Sequence, residues 1–84
     1  MAASKELIEK INTLIAEEFE VEIERIVPDG ALMETLNLDS LDLVDMVVLV
    51  EQAFGITLRP EDFAGVRTFD DFYNLIDRKT TNNG

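Results

Sequence analysis

The sequence predicts a small all-α fold, a four-helix bundle with a long loop between helices 1 and 2 and a short third helix. Three observations carry that expectation. Apolar residues recur at spacings of three and four early, midway and late in the chain, which is the helical period. Glycines and prolines fall between those stretches and not inside them. No pair of runs alternates apolar with polar as partnered strands do.

The first helix is expected over Lys5 to Phe19, where Leu7, Ile8, Ile11, Leu14, Ile15 and Phe19 share one face. A long connection, Glu20 to Leu38, follows. Its Ile23, Ile26, Leu32, Met33, Leu36 and Leu38 keep no period, and Pro28-Asp29-Gly30 marks a turn. Connections of this length are uncommon unless their own side chains pack them down. The scattered leucines and isoleucines suit that role. The next helix runs from about Ser40 to Phe54 and stops at Gly55. Pro60 then suits the first turn of a short helix, with Glu61 and Asp62 at its positive end. Thr68 is placed to cap the last helix, Phe69 to Lys79, which buries Phe69, Phe72, Tyr73, Leu75 and Ile76. The ends, about 1–4 and 80–84, should fray, leaving a single domain over 1–84.

Composition narrows the function. The 84 residues include no cysteine and no histidine. Disulfides, thiolate metal sites and histidine-based nucleophilic catalysis are therefore out of reach. Eighteen acidic residues face seven basic ones, for a formal charge of −11. Such a surface repels nucleic acid and anionic lipid and attracts basic protein patches. No apolar run approaches the length of a membrane span, and the N-terminus lacks a signal-peptide core. A cytoplasmic, monomeric protein without nucleic-acid or membrane partners is expected.

The helix beginning at Ser40 is too apolar for a simple amphipathic element. Leu43, Met46, Val47, Val50, Ala53 and Phe54 share a broad face fit for the core. Leu41, Val44, Asp45, Val48 and Gln52 lie opposite, with Asp42 and Glu51 at the flanks. The long connection can fold over Leu41, Val44 and Val48, or they can form an exposed apolar stripe bordered by carboxylates and suited to a basic-rimmed groove; both hold at once if Val44 is packed and Val48 exposed. Asp39 can cap this helix and Asp42 adds charge to its first turn. Ser40 has no histidine or lysine near it in sequence to act as base, so it is no catalytic nucleophile. It remains a hydroxyl that another enzyme could modify, beside a helix N-terminus that tolerates anionic oxygens.

The run from Pro28 to Leu41, "PDGALMETLNLDSL", resembles the loop and attachment motif of acyl carrier proteins, whose core is Asp-Ser-Leu, here Asp39-Ser40-Leu41. The resemblance extends from Leu7 to Ile76, taking in the acidic second helix, Phe54-Gly55-Ile56 and the short helix after Pro60. It implies that a phosphopantetheinyl transferase attaches 4′-phosphopantetheine from coenzyme A to Ser40. The arm's thiol would then hold acyl groups as thioesters, which accounts for the absent cysteine. The resemblance also implies a docking face of Leu41, Asp42, Asp45, Val48, Glu51 and Gln52. That face would meet basic patches on an acyl-loading ligase or acyltransferase, a ketosynthase, a reductase and a dehydratase of fatty-acid or polyketide biosynthesis. An acyl pocket lined by Val47, Val50, Phe54 and Leu75 is a further implication. Asn37 stands where the family usually has glycine, and Thr35 replaces a common aspartate. Gln52 and Ala53 are neutral where fatty-acid carriers usually keep glutamates, so the docking face is more apolar than theirs.

Rival readings are a peptidyl or D-alanyl carrier with aminoacyl cargo, and an acidic protein-interaction module that bears no arm. Asp39 before the serine argues against a peptidyl carrier, in which a neutral residue or histidine is more usual. Calcium binding fits poorly, because Asp39, Asp42 and Asp45 are spaced by three and lack the loop of an EF-hand. An independent enzyme has no acid–base partner to work with. Met1 suggests a free-standing carrier.

Overall fold

A computed structural model describes residues 4–63 and 65–82. Four α-helices, α1 (Lys5–Phe19), α2 (Leu32–Leu36), α3 (Ser40–Phe54) and α4 (Phe69–Asn82), are joined by connections that carry 3-10 turns at Ile23–Arg25 and Pro60–Phe63. Among the described residues the one β pairing is an isolated antiparallel bridge between Ala31 and Thr68. The all-α class is as the sequence predicts, with two differences of detail. The short third helix is a four-residue 3-10 turn, and the long connection contains a helix of its own, α2. That helix spans little more than one turn, too short for its period to register.

Each main helix is started by a side chain. Ser4 caps α1, its Oγ accepting from the Leu7 N–H at 3.2 Å, so residue 4 closes the helix where fraying was expected. At α4 the Thr68 hydroxyl accepts from the Asp71 N–H at 3.2 Å, and the Asp71 carboxylate accepts from the N–H groups of Thr68 and Arg67. Those bonds, the one from Arg67 first, hold the Asp71 carboxyl below the usual aspartate range. The helix continues past Lys79 to Asn82, and residues 83–84 lie outside the described chain.

Three helices stop on left-handed residues. Gly55 ends α3 with φ 65°, a conformation that costs glycine nothing. Asn37 ends α2 with φ 54°, and the N–H groups of Asn37 and Leu38 return to the carbonyls of Glu34 and Met33. Asparagine tolerates this region better than most residues, so it substitutes here for glycine. Glu20 ends α1 at φ 54° without that advantage.

The core is built from one face of each helix. Ile11 and Ile15 of α1, Met46 and Val50 of α3, and Phe69, Phe72, Tyr73, Leu75 and Ile76 of α4 are all at most 1% exposed. Ile26, Leu32 and Leu36 of the long connection are buried with them, so its own side chains do pack it down. Backbone bonds fix it further: the Phe69 and Asp70 N–H groups donate to the Gly30 and Pro28 carbonyls, and the Leu32 N–H to Arg67. A side chain at Gly30 would meet Val27 at 3.0 Å, which is why this close passage holds glycine. The Tyr73 hydroxyl, pushed above its ordinary pKa by burial, donates to Asn12 Oδ1 and ties α4 to α1.

Candidate functional site at the start of α3

Asp39 and Asp42 form a reciprocal cap at the head of α3. Asp39 Oδ1 accepts from the Asp42 N–H at 2.9 Å, and Asp42 Oδ2 accepts from the Asp39 N–H at 3.3 Å. Capping is thus complete without Ser40. Ser40 occupies the first helical position, is exposed, and its hydroxyl makes no hydrogen bond among the described residues. A serine freed from capping duty and presented to solvent on a rigid helix is open to modification. The positive end of a 15-residue helix lies beside it, where phosphate oxygens are favoured.

The long connection does not cover the opposite face of α3. Leu41 is 77% exposed, Val44 60% and Val48 45%. With exposed Asp45 and Gln52 they make an apolar stripe edged by charge, and the exposure of Val44 sets aside the mixed arrangement in which it packs while Val48 does not. Ala53, expected on the core face, is exposed instead. It borders an open groove against α1 with Leu14, beside Lys10, whose ammonium lies 5.1 Å from the centre of the Phe54 ring.

The family described as "Phosphopantetheine attachment site" matches residues 9–76. The chain belongs to that family. Among its curated relatives, an acyl carrier protein of Thermosynechococcus vestitus is 32% identical over 74 residues, 88% of this chain and 91% of the relative. Acyl carrier protein 2 of Ralstonia nicotianae is 36% identical over 71 residues, covering 84% and 88%. An acyl carrier protein of Thermotoga maritima is 32% identical over 79 residues, covering 94% and 98%.

The geometry fits the phosphopantetheine group the family is named for, since a free, exposed hydroxyl at a helix N-terminus is what a phosphodiester needs. The surroundings sort the expected site residues. Leu41, Asp45, Val48 and Gln52 are exposed and available to a partner. Asp42 is half-buried and engaged in the cap. Glu51 is engaged too: its Oε2 accepts from the Leu58 N–H at 2.8 Å, pinning the chain that leaves α3. Val47 lines a small apolar crevice together with Leu43, Val44 and Phe63. Val50 and Leu75 lie instead in the close-packed core, and Phe54 faces Lys10. Leu43, Val44 and Phe63 were not anticipated as pocket residues. The first two stand three and four positions after Ser40, a spacing the sequence displays, whereas nothing local marks Phe63.

Two charge reversals should separate these roles in a family member. Asp45→Lys is expected to leave stability within about 0.5 kcal/mol, since the side chain is exposed and unengaged. It should slow loading by a basic transferase about tenfold in kcat/KM. Glu51→Lys should cost about 1–3 kcal/mol of stability, because the nearly buried Leu58 N–H loses its acceptor. Denaturant melts and transferase kinetics on both variants check this, and equal destabilisation by the two would contradict it.

Proposed function

We propose that the chain is a non-catalytic acyl carrier whose tether is Ser40, bearing 4′-phosphopantetheine and delivering acyl thioesters to biosynthetic enzymes. One observation carries the choice of tether: within the family match, Ser40 sits exposed at the head of α3 with its cap supplied by Asp39 and Asp42. In the transfer from coenzyme A, Ser40 Oγ forms a bond to phosphorus while the pyrophosphate P–O bond breaks. Adenosine bisphosphate leaves, and the hydroxyl proton passes to a base of the transferase. Bound in this way, the group supplies the thiol that the chain lacks.

Acyl cargo is favoured over aminoacyl cargo by the names of the relatives, all acyl carrier proteins. The carrier role agrees with the absence of histidine from the sequence, which leaves Ser40 without the usual base. Among the described residues no helix is long and apolar enough to cross a membrane, in keeping with work in the cytoplasm. Partners are the transferase and enzymes with basic patches, a ligase or acyltransferase, a ketosynthase, a reductase and a dehydratase. They would meet the stripe of Leu41, Val44 and Val48 through its apolar side chains and Asp45 through its charge. Incubation with coenzyme A and a broad-specificity transferase, followed by intact mass and peptide mapping, tests the proposal. A single pantetheinyl increment on the peptide holding Ser40 is expected; an unchanged mass, or an increment elsewhere, overturns it.

A further inference from the structure

Glu6, Glu9, Lys10, Thr13 and Glu17 lie on the face of α1 turned away from buried Ile11 and Ile15. With Leu14 and with Ala53 of α3 they line an open groove of about 520 Å³. A cavity of roughly 150 Å³ takes one benzene ring, so this groove has room for several side chains of a partner. Nothing in the carrier role proposed above draws on it. The groove lies at the far end of α3 from the tether. Lys10 sits against Phe54, and from Ser40 to Ala53 the helix rises about 20 Å.

Charge is distributed along the groove in a definite order. Glu6 and Glu9 mark one end and Glu17 the other, with about 16 Å of helix between Glu6 and Glu17. All three are exposed, and among the described residues none of them pairs with a cation, the ion pair there joining Lys79 to Asp62. Leu14 and Ala53 supply an apolar floor between the ends. Thr13 and Ala53 are exposed and short, so a second backbone can come close. Lys10 stands between Glu9 and Leu14, its ammonium held 5.1 Å from the centre of the Phe54 ring. From there it repels any cation brought to the middle. The groove therefore accepts positive charge at its two ends and refuses it at its centre.

We propose that this groove is a second docking site, and that its occupant is an amphipathic helix of a partner protein, basic at both ends and apolar at its centre. Its carboxylates stand at positions i, i+3 and i+11 of α1, and a helix laid alongside repeats that period. An extended strand, rising about 3.3 Å per residue, falls out of step with it. The formal charge of −11 turns away anionic lipid, nucleic acid and a second copy of this chain. Lys10 adds discrimination, since a uniformly basic segment meets repulsion in the middle of the groove. The distance to Ser40 leaves the head of α3 free, so one partner holds the carrier here while another works at the tether. Only that last step rests on Ser40 as the tether.

The test uses two synthetic helical peptides of identical composition. One carries arginines at the spacing of Glu6, Glu9 and Glu17 with leucines between them; the other has the same residues rearranged so that the arginines sit at its centre. Fluorescence anisotropy should show the first binding about tenfold more tightly than the second. Amide shifts in the labelled protein should move at Thr13, Leu14 and Ala53. Combining Glu9→Lys with Glu17→Lys should weaken the first peptide about tenfold or more, whereas Asp45→Lys should change it by less than about twofold. Equal affinity for the two peptides, or a loss in Asp45→Lys that the double variant does not show, overturns the groove as the site. With the first peptide saturating, transferase kcat/KM should stay within about twofold of its value without peptide. A larger drop overturns simultaneous occupancy and leaves the groove standing. A chain that binds the peptide as expected but never takes up the pantetheinyl group overturns the tether alone.

Discussion

Ser40→Ala should abolish pantetheinylation completely while leaving the fold as stable as before. Both halves of that expectation come from the same local geometry. The cap of α3 is made by Asp39 and Asp42, at 2.9 and 3.3 Å, so the helix start does not draw on the serine hydroxyl. Alanine is a strong helix former and fits the first helical position without strain. A stability change within about 0.5 kcal/mol is therefore expected, as for other exposed positions. Loading, by contrast, should be lost, because the proposed attachment needs this hydroxyl at the head of this helix. Asp39→Ala supplies the opposite pattern. It should cost about 1 kcal/mol through the lost cap and leave the acceptor hydroxyl in place. Intact mass after transferase treatment and a urea melt on each variant measure both effects. Loading that survives in Ser40→Ala would remove Ser40 from the role proposed, and a melt that shifts as far as that of Asp39→Ala would show that the cap draws on the serine after all.

What the sequence disclosed follows how far each signal travels along the chain. The positions of the three long helices and the caps at Thr68 and Asp39 rest on residues within three or four places of one another, and those were legible. Exposure of Leu41, Val44 and Val48 was not decided by periodicity, because it depends on where residues 20–38 go. Their path is set by backbone bonds from Pro28, Gly30 and Leu32 to residues 67–70, nearly forty places away. The same distance problem hid the task of Glu51. On a helical wheel its carboxylate flanks the exposed stripe, yet a partner seven residues on, the Leu58 N–H, holds it against the protein. The pocket shows the mixture most plainly. Val47 was named through the family resemblance, whereas Phe63 enters from a turn whose position depends on Asp62, Lys79 and Phe72. Val50 and Leu75 have the right composition for a lining, but composition does not distinguish a wall from the packed core behind it.

Phe72→Ala should be the most damaging single truncation among those considered. Phe72 is 0% exposed, belongs to the face of α4 that fills the core, and supports Phe63 across 6.0 Å. Removing such a ring costs about 3–5 kcal/mol, the lost transfer of its carbons plus the cavity left behind. A domain of this length has a total stability on the order of 4–13 kcal/mol, so the variant retains only a part of it, and its Tm should fall by roughly 15–30 °C. The damage should also reach the crevice, since Phe63 loses the ring it leans on. Val44→Ala is the matched control: it removes carbons from the same crevice at a position 60% exposed. It should cost less than about 1 kcal/mol. Thermal melts of the two variants beside the parent give both values. A Phe72→Ala midpoint within 5 °C of the parent (an approximate bound from the same scaling) would mean that α4 does not carry the core as its burial implies.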